Sequence, residues 1–293
     1  MKNQRSIFRL SSPVSFAWSM YTSLVYRLNH FFSAFIPKTI LSEKAFHHSL
    51  KQQGSILTIK DGMYDFTFPV NGQPTIFQLR QNGSDIHVFQ QVVTQKGYEG
   101  LVQLFENRKT EPLRIIDAGS NIGLTAIYLK RNFPASTIIC LEPQESNFKL
   151  LQKNIAANNL EALHPYRKAL WSKAAVLQPR EKFRDNLAWS FAVEESPSPA
   201  SSLNSVDGVT LVQLKEMHGW EMIDILKMDI EGAEAVLFID SDFQNALSKV
   251  KVIALEIHEE MIKRETVMQV LWSKNFVCFE SGELTIAINQ SPV

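Results

Sequence analysis

The chain has 293 residues, 45% of them apolar, and its 30 basic side chains balance its 30 acidic ones. A chain of this length and apolar content can bury one large core, or one core plus an appendage. Because the net charge is zero, no overall field favours nucleic acid or another anionic partner. The composition therefore predicts a globular protein with no nucleic-acid partner.

Cysteine usage and the N-terminus bear on location. Cys140 and Cys278 lie far apart and outside any metal-ligand spacing, so we expect buried thiols in a reducing compartment. Basic residues precede an apolar stretch over Val14–Tyr26, but hydroxyl side chains dilute it and no small-residue cleavage site follows. No apolar run approaches membrane-spanning length. The sequence predicts a retained N-terminus and a cytoplasmic protein.

Residues 1–53 form a predicted helical arm that is rich in aromatic and basic side chains, with Glu43 as its one acid. One interpretation is a basic amphipathic segment that touches a membrane surface or an acidic partner. The other is an arm that packs on the rest of the chain, or on a second copy in a homodimer. We favour packing, because aromatic side chains on amphipathic helices usually belong to a core.

Residues 54–110 predict a small β-hairpin region followed by a helical lead-in. Asp61-Gly62 and Asn71-Gly72 separate alternating apolar runs, which is typical of hairpin turns. A helix is predicted over 85–105, capped by Ser84 or Asp85 and broken near Gly97-Tyr98.

Residues 111–293 alternate strands with helices, which predicts an α/β domain with a parallel sheet covered on both faces and a closing antiparallel hairpin. The first strand ends at Asp117, and a turn with Gly119 and Gly123 leads into a helix. The next strand ends on Glu142, an acid placed to bond two ribose hydroxyls. The two glycines are four residues apart and the dinucleotide pattern GxGxxG is absent, so S-adenosylmethionine fits better than a dinucleotide.

Two later strands also end in polar residues. One ends on Asp229, and the other ends with Glu256 and His258. In such sheets, ligands bind at the carboxyl ends of the strands. The stretch 171–209, with its many serines and prolines, predicts one or two strands plus a mobile loop over the site; an inert linker is the alternative.

Four segments together resemble the FkbM-type methyltransferases, a family of class I S-adenosylmethionine-dependent enzymes. These segments are DAGSNIG at 117–123, Glu142-Pro143, KMDIEGAE at 227–234, and LEIH at 255–258. The resemblance runs from about Ile76 to Ile288 and leaves out the arm. The glycine motif alone indicates only the superfamily, whereas KMDIEGAE points to this family.

The resemblance implies a Rossmann-like sheet of seven strands and methyl transfer, usually to oxygen on a sugar, a polyketide or another small molecule. By position, Asp117, Gly119, Asn121 and Gly123 would line the methionine end of the cofactor, Glu142 would hold the ribose, and Ala169 would lie near the adenine. The sequence departs from the family at Ser120, where alanine is common, and after Ala169, where the usual acid is missing.

A hydroxyl acceptor needs a base, and His258 and Asp229 are the candidates. Glu256 shares a strand face with His258, and Glu231 next to the strand tip is given a functional role. For Glu234 we favour a first-turn acid that complements the helix dipole, and for Lys227 a core lysine paired with a carboxylate. Asp229, Glu231 and Glu256 with His258 could also hold a divalent cation, but we predict no metal.

Three functions compete. An S-adenosylmethionine-dependent O-methyltransferase acting on a small molecule or glycan is preferred, with N-methylation left open. A non-catalytic module that binds S-adenosylmethionine or another nucleoside is the first alternative. A nucleotide-dependent oxidoreductase is disfavoured by the missing GxGxxG pattern.

Overall fold

A computed structural model describes residues 38–81, 84–180, 192–196 and 205–292 of the chain. The chain divides into two compact units, Met1–His48 and Ser49–Val293, and helix α1 (Lys38–Gln52) crosses this division. Most of the predicted arm lies outside the described residues, so its packing, membrane and partner interpretations stay predictions. Within the described ranges, no helix is both long enough and apolar enough to cross a membrane.

A small antiparallel sheet opens the larger unit. Its strands are β1 (Leu57–Lys60), β2 (Met63–Val70) and β3 (Gln73–Arg80). Asp61-Gly62 and Asn71-Gly72 join them, and all four residues have positive φ. Two successive positive φ values are what a two-residue hairpin turn needs, so the predicted hairpins are confirmed.

The helical lead-in is broken as the sequence predicted. It comprises α2 (Asp85–Phe89), a π-helix (Gln90–Thr94), α3 (Glu99–Leu104) and a 3-10 turn (Glu106–Arg108). Ser84 occupies the N-cap position of α2, as predicted, but its side chain makes no capping hydrogen bond. Asp85 instead accepts hydrogen bonds from the backbone and the guanidinium of Arg80, 2.8 and 2.7 Å away.

The rest of the unit alternates strands and helices. In chain order these are β4 (Arg114–Ala118), α4 (Leu124–Asn132), β5 (Thr137–Leu141), α5 (Glu145–Ala157), β6 (Leu163–Tyr166), β7 (Lys168–Leu170), β8 (Ala175–Pro179), β9 (Val193–Glu195), β10 (Val206–Val209), α6 (Leu211–Met217), β11 (Ile223–Met228), α7 (Glu234–Leu237), α8 (Ser241–Ala246), a 3-10 turn (Leu247–Lys249), β12 (Val250–Glu256), α9 (Arg264–Ser273), β13 (Phe276–Ser281) and β14 (Leu284–Asn289).

Seven of these strands form the main sheet, in the order β13-β14-β12-β11-β4-β5-β6. The five strands from β12 to β6 are parallel, while β14 and β13 form an antiparallel hairpin at one edge. Every residue of β11 is buried, as expected for a central strand covered on both faces. The predicted Rossmann-like α/β sheet with its antiparallel hairpin is confirmed.

A second sheet of four strands, in the order β7-β10-β8-β9, was only partly predicted. Three of its strands come from the stretch 171–209, where the sequence indicated one or two. The predicted mobile loop falls largely on residues 181–191 and 197–204, outside the described residues.

The strand order decides where the polar strand ends meet. Strands β12, β11, β4 and β5 are consecutive neighbours and run parallel. Their carboxyl ends therefore lie at one edge, which brings Glu256, Asp229, Gly119 and Glu142 to the same side of the molecule.

Candidate active site

The turn after β4 passes directly against the end of β11. Gly119 has a φ of +77°, and a Cβ there would lie 1.7 Å from the carbonyl oxygen of Asp229. No side chain fits that position, so glycine is required both for the backbone conformation and for the close approach. Asn121 is also left-handed, with a φ of +50°, and the side-chain oxygen Oδ1 of this residue is buried with no hydrogen-bond partner in the described chain.

Glu142 follows β5 and fastens this turn. Its carboxylate accepts the backbone N–H of Asn121 at Oε2 (2.7 Å) and that of Gln144 at Oε1 (2.9 Å). Burial, which leaves the residue 4% exposed, raises the pKa of Glu142 to about 7 despite these bonds. Each carboxylate oxygen has two lone-pair sites. Oε1 also accepts from Asn147 Nδ2 at 3.5 Å, so Oε2 is the oxygen that keeps a site for a ligand hydroxyl.

A cleft lies beside this carboxylate, at the carboxyl ends of the strands. We call it the donor cleft. Its walls include six of the predicted site residues: Gly119, Asn121, Glu142, Ala169, Asp229 and Glu231. Asn147 and Val193 also line it. Asn147 accepts a hydrogen bond from Arg80 (2.8 Å), and thereby links the cleft to the small sheet.

Two residues predicted to line the methionine end of the cofactor, Asp117 and Gly123, are not among the walls of the donor cleft. Asp117 is fully buried behind the turn, where its Oδ1 pairs with the ammonium of Lys227 at 3.1 Å. Gly123 precedes α4 with a φ of +90°, and a Cβ there would lie 2.5 Å from the Cδ1 of Leu151 in α5. Neither residue lines the donor cleft. Asp117 supports the turn, and Gly123 lets the two helices pack.

Lys227 is the central cation of the strand ends. Its Nζ donates to the carbonyl oxygen of Gly119 (2.6 Å), pairs with Asp117 and lies 3.8 Å from Oδ2 of Asp229. Burial alone would lower the pKa of Lys227, but the carboxylates around it, Asp117 foremost, hold that pKa above its usual range. The lysine is thus charged and committed to the turn, and its principal partner is Asp117.

A larger open cleft adjoins the donor cleft, and we call it the acceptor cleft. The two share Gly119, Asn121, Asp229 and Glu231 as walls. The acceptor cleft adds Tyr98, Glu256 and Glu283, among others. Tyr98 was not predicted as a site residue, because its position depends on the break between the π-helix and α3. Burial raises the pKa of Tyr98 well above its ordinary value, so its hydroxyl remains a hydrogen-bond donor.

His258 lies behind the carboxylates and lines neither cleft. Its ring is 2% exposed, and its Nε2 lies 3.6 Å from Glu231 Oε2, 3.8 Å from Asp229 Oδ1 and 3.9 Å from Glu256 Oε1. Burial lowers the pKa of His258, but Glu234 and the other carboxylates raise it to about 9. Burial, together with the charge of Asp229, raises the pKa of Glu256 to about 7. The structure therefore brings all four predicted catalytic residues together.

Glu234 is the residue whose role the sequence underestimated. It begins α7, as a dipole-complementing acid would, but its side chain is fully buried. It accepts the N–H of Gly232 (2.7 Å) and the Nδ1 of His258 (3.0 Å). The interpretation as a first-turn acid is thus incomplete, since Glu234 also orients the imidazole. The missed signal is its position three residues after Glu231 in KMDIEGAE.

The fold and the clefts together define an α/β enzyme that binds a nucleoside ligand at the carboxyl ends of its strands. Comparison with known proteins makes this specific, because residues 117–278, more than half of the chain, match the methyltransferase FkbM domain. The chain belongs to the FkbM methyltransferase family, and its methyl donor is S-adenosylmethionine.

Individual relatives agree with this assignment. Methyltransferase 1 of Beauveria bassiana (strain ARSEF 2860) is 25% identical over 180 residues, which cover 55% of this chain and 71% of the relative. Methyltransferase sdnD of Sordaria araneosa is 28% identical over 192 residues, covering 55% and 73%. Among solved structures, magnesium protoporphyrin IX methyltransferase from Synechocystis PCC 6803 with bound SAM is 11% identical and has a TM-score of 0.40, covering 67% of this chain and 80% of that one.

Proposed function

We propose that the protein transfers the methyl group of S-adenosylmethionine to a hydroxyl oxygen of a small molecule or sugar. The observation that carries this proposal is that the donor and acceptor clefts meet at two carboxylates, Asp229 and Glu231. A methyl acceptor approaching from the second cleft would reach the donor beside these groups.

The residues that line the donor cleft support its assignment to the cofactor. The ribose hydroxyls would donate to Glu142, whose two oxygens are held by backbone N–H groups. The Gly119 turn leaves room for the methionine part next to Asn121, and Ala169 lines the wall for the adenine. When bound, S-adenosylmethionine supplies an electrophilic methyl carbon on a sulfonium.

Proton removal falls to Asp229. A hydroxyl is a weak nucleophile until a positioned base takes its proton, and such a base contributes about 10²–10⁴ in rate. Of the two candidates, Asp229 lines the acceptor cleft, whereas His258 lies buried behind it. The acceptor O–H bond would break toward the Asp229 carboxylate while the acceptor oxygen forms its bond to the methyl carbon, and the bond from that carbon to sulfur would break, so that S-adenosylhomocysteine leaves. His258 then acts through Asp229 and not on the acceptor.

Methyl transfer can be followed without knowing the acceptor in advance. The protein would be incubated with S-adenosylmethionine carrying a ¹³C-methyl group and panels of neutral sugars, other alcohols, phenols and amines, and the products identified by NMR. We expect an O-methyl product, and we expect Asp229→Asn to lower the rate by at least about 100-fold. Asp242→Asn, an exposed acid in α8, is the matched control and should leave the rate unchanged.

Products that carry only N-methyl groups would contradict the proposal, because they would show that the acceptor is an amine and not a hydroxyl compound. Full activity in Asp229→Asn would show that Asp229 is not the base. Tight cofactor binding with no product from any panel would favour the non-catalytic module.

A further inference from the structure

The imidazole of His258 has one nitrogen satisfied and one that is not. Nδ1 lies 3.0 Å from Glu234 Oε1, and since a carboxylate only accepts, Nδ1 carries the proton of this bond. Nε2 is buried and has no hydrogen-bond partner among the described residues. A buried polar atom without a partner is costly, so Nε2 requires an explanation.

The surroundings of Nε2 supply one. Three carboxylate oxygens, from Glu231, Asp229 and Glu256, lie 3.6, 3.8 and 3.9 Å away. These separations exceed an N–H···O hydrogen bond, which spans about 2.7–3.2 Å. They fall within the range for ligand atoms that share one ion, because bonds of about 2.1 Å place two such atoms between roughly 3.0 Å apart, when adjacent, and roughly 4.2 Å apart, when opposite.

We propose that Asp229, Glu231 and His258 bind one divalent cation at the junction of the donor and acceptor clefts. One ligand atom from each residue lies within 4.8 Å of the other two. The residues come from two segments, the loop after β11 and the turn after β12. Sequence spacing could not show that these segments meet, which is why the sequence predicted no metal.

The support around His258 is that of a metal-binding histidine. Such histidines almost always donate their second ring N–H to a carboxylate, a backbone carbonyl or a water, which fixes the tautomer and aims the other nitrogen at the ion. Glu234 fills that position, and the backbone N–H of Gly232 holds the Glu234 carboxylate in turn (2.7 Å). Asp229 and Glu231 have side chains 31% and 13% exposed, so an ion could reach the site from the clefts.

The donor set indicates which ion. Two carboxylates and one imidazole form a mixed oxygen and nitrogen set; carboxylates suit Mg²⁺ and Mn²⁺, whereas imidazole favours transition metals. Mn²⁺ satisfies both preferences, and Mg²⁺ should bind more weakly. The role of the ion rests on the proposed function: it would hold the acceptor oxygen and ease loss of the hydroxyl proton to Oδ2 of Asp229, the oxygen turned toward Lys227.

Binding can be measured without any acceptor. Protein stripped with a chelator and dialysed would be titrated with Mn²⁺, and the free ion followed by its electron paramagnetic resonance signal. We expect one Mn²⁺ bound per chain, with affinity at least about tenfold weaker in Asp229→Asn, in Glu231→Gln and in Glu234→Gln, which replaces the carboxylate that orients His258. Glu259→Gln is the matched control. Glu259 is an exposed acid next to His258 in the chain, and its carboxylate pairs with Arg264, so this variant should bind Mn²⁺ like the wild type.

Absence of stoichiometric Mn²⁺ binding, or equal affinity in all variants, would overturn the site. Circular dichroism of each variant separates a lost site from a lost fold, and the partly exposed Asp229 and Glu231 are the positions where the fold should persist. Mn²⁺ binding without methyl transfer would support the site and count against the proposed function. Methyl transfer by protein that binds no Mn²⁺ would support the proposed function and contradict the metal site.

Discussion

The two halves of the active site are built in different ways. The donor half depends on backbone geometry: Gly119 allows the turn to touch β11, and backbone N–H groups aim the Glu142 carboxylate. The acceptor half depends on side chains, with Asp229, Glu231 and Glu256 gathered around His258 at 3.6–3.9 Å. Binding in the donor half therefore depends mainly on shape, and chemistry in the acceptor half mainly on charge. Substitutions that change volume and substitutions that change charge should affect the two halves differently.

The largest effect is expected at Gly119. In Gly119→Ala the new Cβ would meet the carbonyl oxygen of Asp229 at 1.7 Å, so the turn must move and the donor cleft with it. We expect donor affinity, measured by calorimetry, to fall at least about 100-fold, because the shift displaces several contacts together. Gly219→Ala is the control, since Gly219 has a similar φ of +63° and no atom within 4 Å of its Cβ position.

If Gly119→Ala and Gly219→Ala bind the donor equally well, close approach at the turn does not shape the donor cleft. The control itself should lose only about 1 kcal/mol of unfolding free energy, the cost of a side chain in a left-handed conformation.

Lys227 contacts both halves of the site, because its Nζ donates to the turn at Gly119 and lies 3.8 Å from Asp229 Oδ2. Lys227→Met leaves Asp117 buried without its cation, and breaking a buried pair in this way costs about 3–5 kcal/mol. Urea unfolding measures the loss. Lys149→Met, which breaks an exposed pair with Glu145, should cost less than about 1 kcal/mol. Equal losses in the two variants would contradict the structural role given to Lys227.

A smaller effect is expected from pH. Burial raises the pKa of Glu142 to about 7, so its carboxylate takes up a proton as the pH falls through that value. Ribose hydroxyls donate best to the ionised form, hence donor affinity should be about tenfold weaker at pH 6 than at pH 8. Calorimetry at both values measures this ratio. Glu142→Gln cannot ionise and serves as the control, so a ratio that survives in the variant belongs to another group.

The two halves also differ in how much of each could be predicted from the sequence. The donor half could be predicted because the glycine turn and Glu142 belong to one βαβ unit, whose pattern is local. Within that unit, Asp117 and Gly123 line neither cleft. The sequence did not reveal this, because a motif shows which residues are required but not whether they contact a ligand or support residues that do.

The acceptor half was predicted as a set of polar strand ends, but the contacts that hold its residues in place were not. The alternation of strands and helices made Asp229, Glu256 and His258 candidates. The burial of Glu234 and the position of Tyr98 depend on contacts between segments far apart in the chain, which periodicity does not record. The prediction of the second sheet was incomplete for a related reason, because strand β9 has only three residues and is too short to show a period.

The division between the two halves is tested most directly by measuring donor affinity in two matched variants. Glu142→Gln changes the donor cleft, and Glu256→Gln makes the same substitution at a residue that lines only the acceptor cleft. Calorimetry with S-adenosylmethionine should show affinity about 30-fold weaker in Glu142→Gln, the loss of charge-assisted hydrogen bonds worth about 2 kcal/mol. Glu256→Gln should bind like the wild type. Unchanged affinity in Glu142→Gln, or an equal loss in both variants, would contradict the account.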